Sequence, residues 1–523
     1  ESEEKITMSP IKRRTFLKGT GAAAAAATIP SMLQNNLSAQ TKPNVVFILA
    51  DDMGYGDVSY LNENSKIPTP NINRIGQEGR YFTDAHSPSA LCTPTRYGVL
   101  TGRYCWRTRI TRSVCWGYSK HLIEPERMTV ASLLKDQGYN TACIGKWHLG
   151  MDMQTRSGEI IQDPHAVVDS RAYKADIDWN APILNGPTAV GFDHFYGISA
   201  SLDMYPYIWI EDDRFVGECS TTQDLLFITR DYRPERYADN TGPAHEDFVA
   251  EEVMPTITQR TVDWISQQDK ETPFFMCMSL TAPHIPIVPS DPYRGLSDLG
   301  PYGDFCIEVD DSVGRVLDAL DENGFSNDTL VIFTADNGCA PYIGVEEMNE
   351  KGHFPSYVFR GYKSDIFEGG HRIPFLARWP NRVEAGSSSN ETICLTDLLK
   401  TCAAMNNVNV PSSAGEDSYN ILPALVGGDL NSPIREATIS TAGNGAFSVR
   451  QGRWKLELTG STGGYGNISQ EEVAAQGLPP AQLYDLENDI GETNNVYAEY
   501  PDVVSRLTSL LESYRGNDRS TPI

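Results

Sequence analysis

Three stretches of this chain are apolar without interruption, and each ends in polar residues beside glycine or proline. They are NVVFILADDMGYGD from Asn44, TPFFMCMSLTAPH from Thr272 and TLVIFTADNG from Thr329. Strands that are apolar on both faces are typical of a parallel sheet covered by helices on both sides. The intervening CIEVDDSVGRVLDALDENG, which ends at Gly324, has the period of an amphipathic helix. We therefore predict an α/β fold with a large, mostly parallel central sheet flanked by helices.

The pattern changes from about residue 413. FSVRQGRWKLEL alternates like a half-exposed antiparallel strand, and DVVSRLTSLLESYR has the pattern of a closing helix. We predict a main α/β domain over residues 41–412. A smaller α+β subdomain with a small antiparallel sheet is predicted over residues 413–523.

Residues 1–40 have the pattern of a targeting segment. Arg13 and Arg14 precede a short Ala-rich run, and small residues follow near Ala39. This arrangement resembles a twin-arginine export signal, so the partner would be the twin-arginine export machinery. The apolar run is too short to cross a bilayer. We expect an exported protein, periplasmic or extracellular, with no membrane anchor.

The composition limits the partners of the protein. The 523 residues carry a formal net charge of −26, which repels nucleic acid and anionic membranes at long range. We expect no nucleic-acid partner. An anionic substrate would need a local basic site on this acidic body. The ten cysteines show no spacing typical of a zinc site.

Carboxylates and an amide follow two of the apolar runs. Asp51 and Asp52 end the first, and Asp336 and Asn337 end the third. In open α/β sheets, sites form outside the carboxyl ends of strands. Adjacent strand residues point to opposite faces, so the first pair can converge only if the chain bends, which the following glycines permit. Oxygen ligands of this kind suit Ca²⁺ or Mg²⁺, although Asp and Asn are also common in strand-end turns.

The stretch LCTPTRYGVLTG places a cysteine at a predicted helix start. Thr93 is a suitable N-cap, Pro94 suits the first helical position, and Gly102 would end the helix. Cys92 would then lie at the positive end of a short helix. An activated thiolate, half of a disulfide and a group made from cysteine are all compatible with this position.

Basic and titratable side chains follow further strands. Lys146 and His148 are two residues apart, so they face the same way if the chain is extended there. His284 follows the second apolar run, and Lys363 lies in a loop close to glycines. Cations and titratable rings aimed at one point suit an anionic ligand whose protonation changes. Each of these residues alone would be an ordinary surface residue.

Together these segments resemble the formylglycine-dependent sulfatase family, the arylsulfatase branch of the alkaline phosphatase superfamily. CTPTR matches the C-x-P-x-R signature of that family, and GYNTACIGKWHLG matches its second signature. Four further segments match in order, and the resemblance runs from about Pro43 to Val496. It implies an alkaline phosphatase-like fold, with residues 41–412 as the catalytic domain, and sulfuric ester hydrolysis.

The resemblance also implies a modified nucleophile. A formylglycine-generating maturation enzyme would oxidise Cys92 to formylglycine (3-oxoalanine), which hydrates to a geminal diol. One hydroxyl attacks sulfur and expels the alcohol, and the other loses its proton so that sulfate is eliminated. A calcium ion, rather than magnesium, would be held by Asp51, Asp52, Asp336, Asn337 and the modified Cys92.

The same resemblance implies a role for each of the remaining residues. Arg96 would position the diol. Lys146 and Lys363 would clamp the sulfate oxygens. His148 would be the base that triggers sulfate elimination, and His284 would donate a proton to the leaving oxygen.

The substrate is expected to be a sulfated small molecule or oligosaccharide, derived from a polysaccharide or a glycosaminoglycan. Two stretches offer aromatic faces and polar groups for the rim of the sulfate site. Their aromatic residues could instead be core, and their arginines could pair with surface acids. The candidate substrate-binding residues are Arg107, Arg109, Arg112, Trp116, His121, Asp203 and Tyr205.

Two alternative functions are compatible with the sequence. The first is a phosphonate or phosphate ester hydrolase of the same superfamily. The second is an unmodified, inactive relative that only binds sulfated glycans. The complete set of family residues favours the sulfatase over both.

Overall fold

The computed structural model describes residues 42–161, 176–225, 241–428 and 430–522. The predicted export signal, residues 1–40, lies outside the described residues. Within the described ranges, no helix is both long enough and apolar enough to cross a membrane. The strands are β1 (Asn44–Ala50), β2 (Arg80–Phe82), β3 (Ala85–His86), β4 (Asn140–Lys146), β5 (His194–Ile198), β6 (Ile210–Glu211), β7 (Arg214–Phe215), β8 (Thr221–Gln223), β9 (Gly242–Ala244), β10 (Phe274–Ser279), β11 (Thr329–Ala335), β12 (Phe375–Arg378), β13 (Ser387–Ser389), β14 (Ile393–Cys394), β15 (Thr438–Thr441), β16 (Phe447–Gln451), β17 (Trp454–Glu457) and β18 (Gln482–Asp485).

Helices occupy many of the connections between these strands. The predicted amphipathic helix ends just before Gly324, whose φ of +70° stops it. The helices are α1 (Pro70–Gln77), α2 (Cys92–Thr101), α3 (Val130–Asp136), α4 (Val253–Ser266), α5 (Pro301–Glu322), α6 (Val345–Glu350), α7 (Glu368–His371), α8 (Leu398–Met405), α9 (Leu422–Val426), α10 (Gln470–Ala475) and α11 (Pro501–Gly516).

The apolar runs form the centre of a ten-stranded sheet in the order β13-β2-β12-β11-β1-β10-β4-β5-β6-β7. The five central strands, from β11 to β5, are all parallel. Antiparallel strands lie on both sides of them. Every residue of β1 is buried, as an uninterrupted apolar strand between helical layers requires. The predicted α/β class and mostly parallel central sheet are confirmed.

A second, four-stranded antiparallel sheet, β15-β16-β17-β18, lies near the C-terminus. Helix α11 covers it through Leu507 and Leu511, which pack with Val449 and Leu456. The prediction of one strand over FSVRQGRWKLEL is wrong, because the chain reverses at Gly452 (φ +58°) and forms β16 and β17. The predicted small antiparallel sheet is confirmed, and the boundary at residue 412 stays a prediction.

A buried charge network ties this C-terminal sheet to the segment that follows Lys363. The ammonium of Lys455, on β17, lies 3.1 Å from a carboxylate oxygen of Glu368 and 2.7 Å from one of Glu492. It also donates to the carbonyl oxygen of Ile366 at 3.0 Å. Breaking such a buried network by removing one partner is strongly destabilising. The C-terminal sheet therefore holds the loop that carries Lys363 in place.

Candidate active site

The parallel register brings the ends of β1 and β11 side by side. Ala50 pairs with Ala335, so Asp51 and Asp336 follow at the same edge of the sheet. The backbone N–H of Asp336 donates to the carbonyl oxygen of Ala50 at 3.1 Å. The backbone N–H of Asp52 donates to Oδ1 of Asp336 at 3.2 Å. The structure thus gathers the predicted carboxylates at the carboxyl edge of the parallel strands.

The bend after β1 falls on Asp52, which has a φ of +66°. We expected the following glycines to permit this bend, but the bend precedes them and Gly54 itself has an extended backbone. Gly54 and Gly56 are needed for close packing: an added Cβ would lie 2.3 Å from the carbonyl oxygen of Pro355 and 2.0 Å from that of Phe354, respectively. A left-handed aspartate is strained, and such residues cluster at functional sites.

Two lysines pair with the aspartates that follow β1. Nζ of Lys146 lies 2.6 Å from Oδ2 of Asp51, and Nζ of Lys363 lies 2.8 Å from Oδ2 of Asp52. All four side chains are buried. Burial alone would lower the pKa of Lys363, but the Asp52 carboxylate raises this pKa well above its ordinary value. Lys363 is therefore a permanent cation at the site.

Arg96 joins α2 to the strand ends. Its Nε and Nη2 donate to Oδ2 of Asp336 at 3.0 and 2.8 Å. Its Nη1 donates to the carbonyl oxygen of Lys146 at 3.2 Å and to the hydroxyl of Ser279. A guanidinium held by this many acceptors is rigid, so it fixes Cys92, one turn earlier, relative to the carboxylates.

Two buried oxygen atoms of the site accept no hydrogen bond from the described residues: Oδ1 of Asp51 and Oδ1 of Asn337. The Asn337 amide nitrogen donates to Oδ1 of Asp52 at 2.7 Å and to the carbonyl oxygen of Gly338 at 2.9 Å, which fixes the orientation of the amide. Buried polar atoms without partners are costly. Oxygen atoms of this kind beside further carboxylates are the ligands that Ca²⁺ prefers.

Cys92 is the first residue of α2 and is 2% exposed. Burial raises the pKa of its thiol to about 11, so Cys92 is protonated at neutral pH and is not an activated thiolate. The predicted cap is wrong: Leu91 is the N-cap, and Pro94 lies inside the first turn. The hydroxyl of Thr93 donates instead to the backbone carbonyl of His148 at 2.8 Å.

His148 is held by a closed ring of hydrogen bonds. Its Nε2 contacts the carbonyl oxygen of Cys115 at 2.7 Å, and because a carbonyl only accepts, Nε2 carries the proton. Thr93 Oγ1 donates to the His148 carbonyl and accepts from the Cys115 N–H at 3.0 Å. Burial and the nearby Lys146 cation lower the pKa of His148 well below its ordinary value. His148 is thus a neutral imidazole with its Nδ1 lone pair available.

His284 has the opposite tautomer. Its Nδ1 lies 2.6 Å from the carbonyl oxygen of Ile285, so Nδ1 carries the proton, and Nε2 faces Oδ2 of Asp52 at 3.7 Å. The hydroxyl of Ser201 lies 3.1 Å from Nδ1 of His284 and 3.2 Å from Nζ of Lys146. Ser201 links these two groups, and no sequence motif pointed to it.

A cavity of about 270 Å³ opens above these groups. It brings together side chains from the strand ends, from α2 and from residues 443–465, so the C-terminal part of the chain supplies one wall. Two predicted substrate-binding residues, Trp116 and Asp203, lie in it. Its lining includes Cys92, Ser113, Trp116, His148, Asp203, Met204, His284, Tyr342, Lys363, Gly443 and Tyr465.

Two of the other predicted substrate-binding residues are structural. Nε and Nη2 of Arg107 each donate at 2.9 Å to the buried Asp417 carboxylate. Tyr205 is buried and packs edge-on against Tyr118, with ring centroids 5.8 Å apart. The prediction that they lie at the rim of the sulfate site is wrong, because each side chain is used to pack the fold.

The three remaining candidates also lie away from the lining of this cavity. Arg109 donates to the backbone carbonyl of Lys120. Nδ1 of His121 lies 2.8 Å from a carboxylate oxygen of Asp152. Arg112 lines a neighbouring cavity. The structure therefore does not bring these three residues into the cavity that contains Cys92.

Comparison with known proteins identifies two segments. The sequence model of the sulfatase family matches residues 43–407. The model of the twin-arginine translocation signal matches residues 10–30, so the chain carries an export signal. The predicted export across the cytoplasmic membrane is confirmed.

Relatives match over almost the whole chain. An N-acetylgalactosamine-6-O-sulfatase of Bacteroides thetaiotaomicron is 30% identical over 91% of this chain and 93% of its own length. The human N-acetylgalactosamine-6-sulfatase is 28% identical over 90% of this chain and 85% of its own length. A solved structure from a glycosaminoglycan-metabolism locus of Bacteroides thetaiotaomicron has a TM-score of 0.76 and 29% identity, and covers 91% of this chain and 100% of that one.

The family match extends over most of the chain, from β1 through the strand ends and α2 to α8. The relatives extend it into the C-terminal sheet. This chain therefore belongs to the sulfatase family of the alkaline phosphatase superfamily, and it is an exported sulfuric ester hydrolase.

Proposed function

We propose that this sulfatase removes a 6-sulfate from N-acetylgalactosamine units of a sulfated carbohydrate. The observation that carries the proposal is the single cavity in which Cys92, His148, His284 and Lys363 meet. Two of the relatives described above are named as sulfatases of N-acetylgalactosamine 6-sulfate. Their names support N-acetylgalactosamine as the sugar that this enzyme recognises. A carbohydrate substrate also suits an exported enzyme.

Calcium fits the oxygen atoms at the strand ends. Asp51, Asp52, Asp336 and Asn337 would hold the ion, because two of their oxygens are buried without hydrogen-bond partners. When bound, calcium would polarise the nucleophile and offset the charge of the sulfate. Magnesium fits less well, because it demands a near-ideal octahedron and keeps most of its waters.

Formylglycine at position 92 supplies a hydroxyl nucleophile that the thiol of Cys92, with its raised pKa, cannot replace. The permanent cation Lys363, with Lys146 behind it, binds the sulfate oxygens. His148, neutral with an available Nδ1, accepts the proton that is released when sulfate leaves. His284 donates a proton to the oxygen of the departing sugar in its doubly protonated form, since its Nδ1 proton is held by the Ile285 carbonyl and the donated proton has to be on Nε2.

The sugar ring would lie against Trp116, and Asp203 would accept hydrogen bonds from its hydroxyl groups. Both side chains line the same cavity as Cys92. An indole face and a carboxylate together suit a pyranose, which presents C–H groups on one face and hydroxyls at its edge.

The test is sulfate release by protein produced together with a formylglycine-generating enzyme. We expect turnover of 6-sulfated N-acetylgalactosamine, and little turnover of the 4-sulfated isomer or of 6-sulfated N-acetylglucosamine. Turnover of an aryl phosphonate at the rate of an aryl sulfate would favour the phosphonate ester hydrolase instead. Preference for either of the other sulfated sugars would overturn the assigned substrate.

Cys92→Ala should reduce this turnover by roughly 10⁴-fold, because removing a nucleophile leaves only binding and electrostatic catalysis. Cys219→Ala is the matched control, since Cys219 is a half-buried cysteine outside the cavity. Initial rates and circular dichroism of both variants check the prediction. Activity of Cys92→Ala within a hundredfold of wild type would contradict the role of Cys92. An unmodified thiol in native protein would favour the inactive glycan-binding relative.

A further inference from the structure

A second and larger cavity, of about 640 Å³, lies beside the one that contains Cys92. The two share a wall made of two backbone segments that contact each other: the N–H of Ser113 donates to the carbonyl oxygen of Gly443 at 3.3 Å. Ser113 and Gly443 line the first cavity, and their neighbours Arg112 and Asn444 line the second. Consecutive Cα atoms are about 3.8 Å apart, so the wall is one backbone thick.

The second cavity has aromatic and cationic groups side by side. The rings of Trp106 and Phe447 meet edge to face, with centroids 5.5 Å apart. The guanidinium of Arg107 lies 4.2 Å from the Trp106 ring centroid, and that of Arg515 lies 5.0 Å from the Phe447 centroid. Tyr104 stacks on Trp106 with ring centroids 5.8 Å apart, so the aromatic rings here support the arginines, and the guanidinium groups are the part that can bind carboxylate and sulfate oxygens.

The arginine side chains that line this cavity differ in how free they are to bind an anionic ligand. Arg107 is neutralised by the buried Asp417. Arg515 pairs with Glu512 at 2.9 Å, but both side chains are exposed, so the pair is weak. Arg112 is exposed and makes no ion pair with any described residue. Arg112 is therefore the arginine of this cavity that is most available to an anionic ligand.

We propose that this second cavity binds the next sugar of the substrate chain, through an anionic group that Arg112 contacts. The ligand is a carboxylate or a sulfate on the sugar adjacent to the one that loses its sulfate. The inference rests on the proposed function, since it needs a carbohydrate in the first cavity. It makes this enzyme one that acts on oligosaccharides better than on monosaccharides.

The first test compares KM for two substrates in Arg112→Ala. KM for a 6-sulfated N-acetylgalactosamine monosaccharide should be unchanged. KM for a 6-sulfated tetrasaccharide with alternating uronic acid should rise roughly 10-fold, as expected for loss of a charge-assisted hydrogen bond. Arg109→Ala is the matched control, because it removes an arginine from the same segment but not from this cavity. Equal effects on both substrates, or none on the tetrasaccharide, would overturn the proposal.

The second test measures binding without turnover. Protein with unmodified Cys92 is titrated with the tetrasaccharide by calorimetry, and Arg112→Ala should weaken its affinity by the same factor. Repeating the titration with a carboxyl-reduced tetrasaccharide distinguishes the two anions: loss of the Arg112 effect identifies the carboxylate, and its persistence identifies a sulfate. Wild-type affinity in Arg112→Ala would overturn the proposal. Absence of turnover on every sugar, with the calorimetric difference intact, would instead count against the proposed function.

Discussion

Thr93 is the residue that closes the hydrogen-bond ring around His148. Its hydroxyl accepts from the Cys115 N–H and donates to the His148 carbonyl, and the ring leaves Nδ1 of His148 without its proton. The φ of +59° at His148 requires such support, because a left-handed histidine is strained. Thr93 thus acts on the reaction through His148 and is a positioning residue.

Thr93→Val keeps the shape of the side chain and removes both hydrogen bonds. We expect kcat to fall roughly 10- to 100-fold with KM unchanged, because sulfate binding does not use this hydroxyl. Thr93→Ser should restore most of kcat. The ¹⁵N chemical shifts of the His148 ring, measured in protein with unmodified Cys92, should show a mixture of tautomers in Thr93→Val only. A single unchanged tautomer in that variant would contradict this role.

The sequence could predict the residues that gather at the site because their chemical type and position after strands are both visible in it. It could not predict that Arg107 is structural, because the buried carboxylate that Arg107 binds, Asp417, lies 310 residues away in the sequence. The sequence also could not distinguish Tyr205 from an exposed aromatic residue, because the ring it packs against, Tyr118, lies in a distant segment of the chain. Thr93 was visible inside the CTPTR segment, but its usual role as a helix cap concealed its contact with His148.

Among the elements, the ends of the central strands were predicted, whereas the C-terminal hairpin was missed although its signal is present in the sequence. An uninterrupted apolar run requires burial on both faces, so β1, β10 and β11 had few alternatives. In FSVRQGRWKLEL the apolar residues occupy odd positions before Gly452 (Phe447, Val449) and even positions after it (Trp454, Leu456). This change of phase at a glycine marks the turn between two paired strands, and the prediction of one strand overlooked it.

Helix α5 contains a carboxyl group whose titration should affect stability. Glu308 is buried and accepts from the N–H and the hydroxyl of Ser290 at 3.0 and 2.7 Å. Burial raises the pKa of Glu308 from 4.5 to about 7. Its neutral form is favoured in the folded state, so its contribution to stability is fully present below pH 4.5 and is lost as the pH rises through about 7.

Glu308→Gln keeps a neutral group that can hydrogen-bond with Ser290. The free energy of unfolding of this variant relative to wild type should therefore rise by roughly 2 kcal/mol between pH 5.5 and pH 8.5. Urea denaturation at the two pH values measures the difference. Glu322→Gln, an exposed change on the same helix, should show no such trend. A difference for Glu308→Gln that is independent of pH would contradict the titration.

For the whole molecule, the proposed calcium site predicts a stability that depends on calcium. An ion held only by the folded state stabilises it by about 2.7 kcal/mol at a concentration of 100 times Kd. We expect chelation to lower the melting temperature of the unmodified protein, calcium to restore it and magnesium to restore it less. Asp51→Asn should weaken the response, whereas Asp318→Asn, an exposed change far from the strand ends, should keep it. An unchanged melting temperature after exhaustive chelation would count against the site.

Cys92 is buried in the first turn of α2. This burial determines whether the proposed oxidation of its thiol comes before or after folding. A thiol that lines a narrow cavity and is 2% exposed cannot enter the active site of another enzyme, so the proposed oxidation has to come before the protein folds around it. We expect the maturation enzyme to act on unfolded wild-type protein or on a peptide spanning residue 92, and to leave the folded protein unmodified. Mass spectrometry of the peptide after each incubation decides this, and conversion of the folded protein at the peptide rate would contradict it. With the proposed formylglycine at position 92, the export signal would carry a chain that is already oxidised, and a molecule that folds before oxidation would stay inactive.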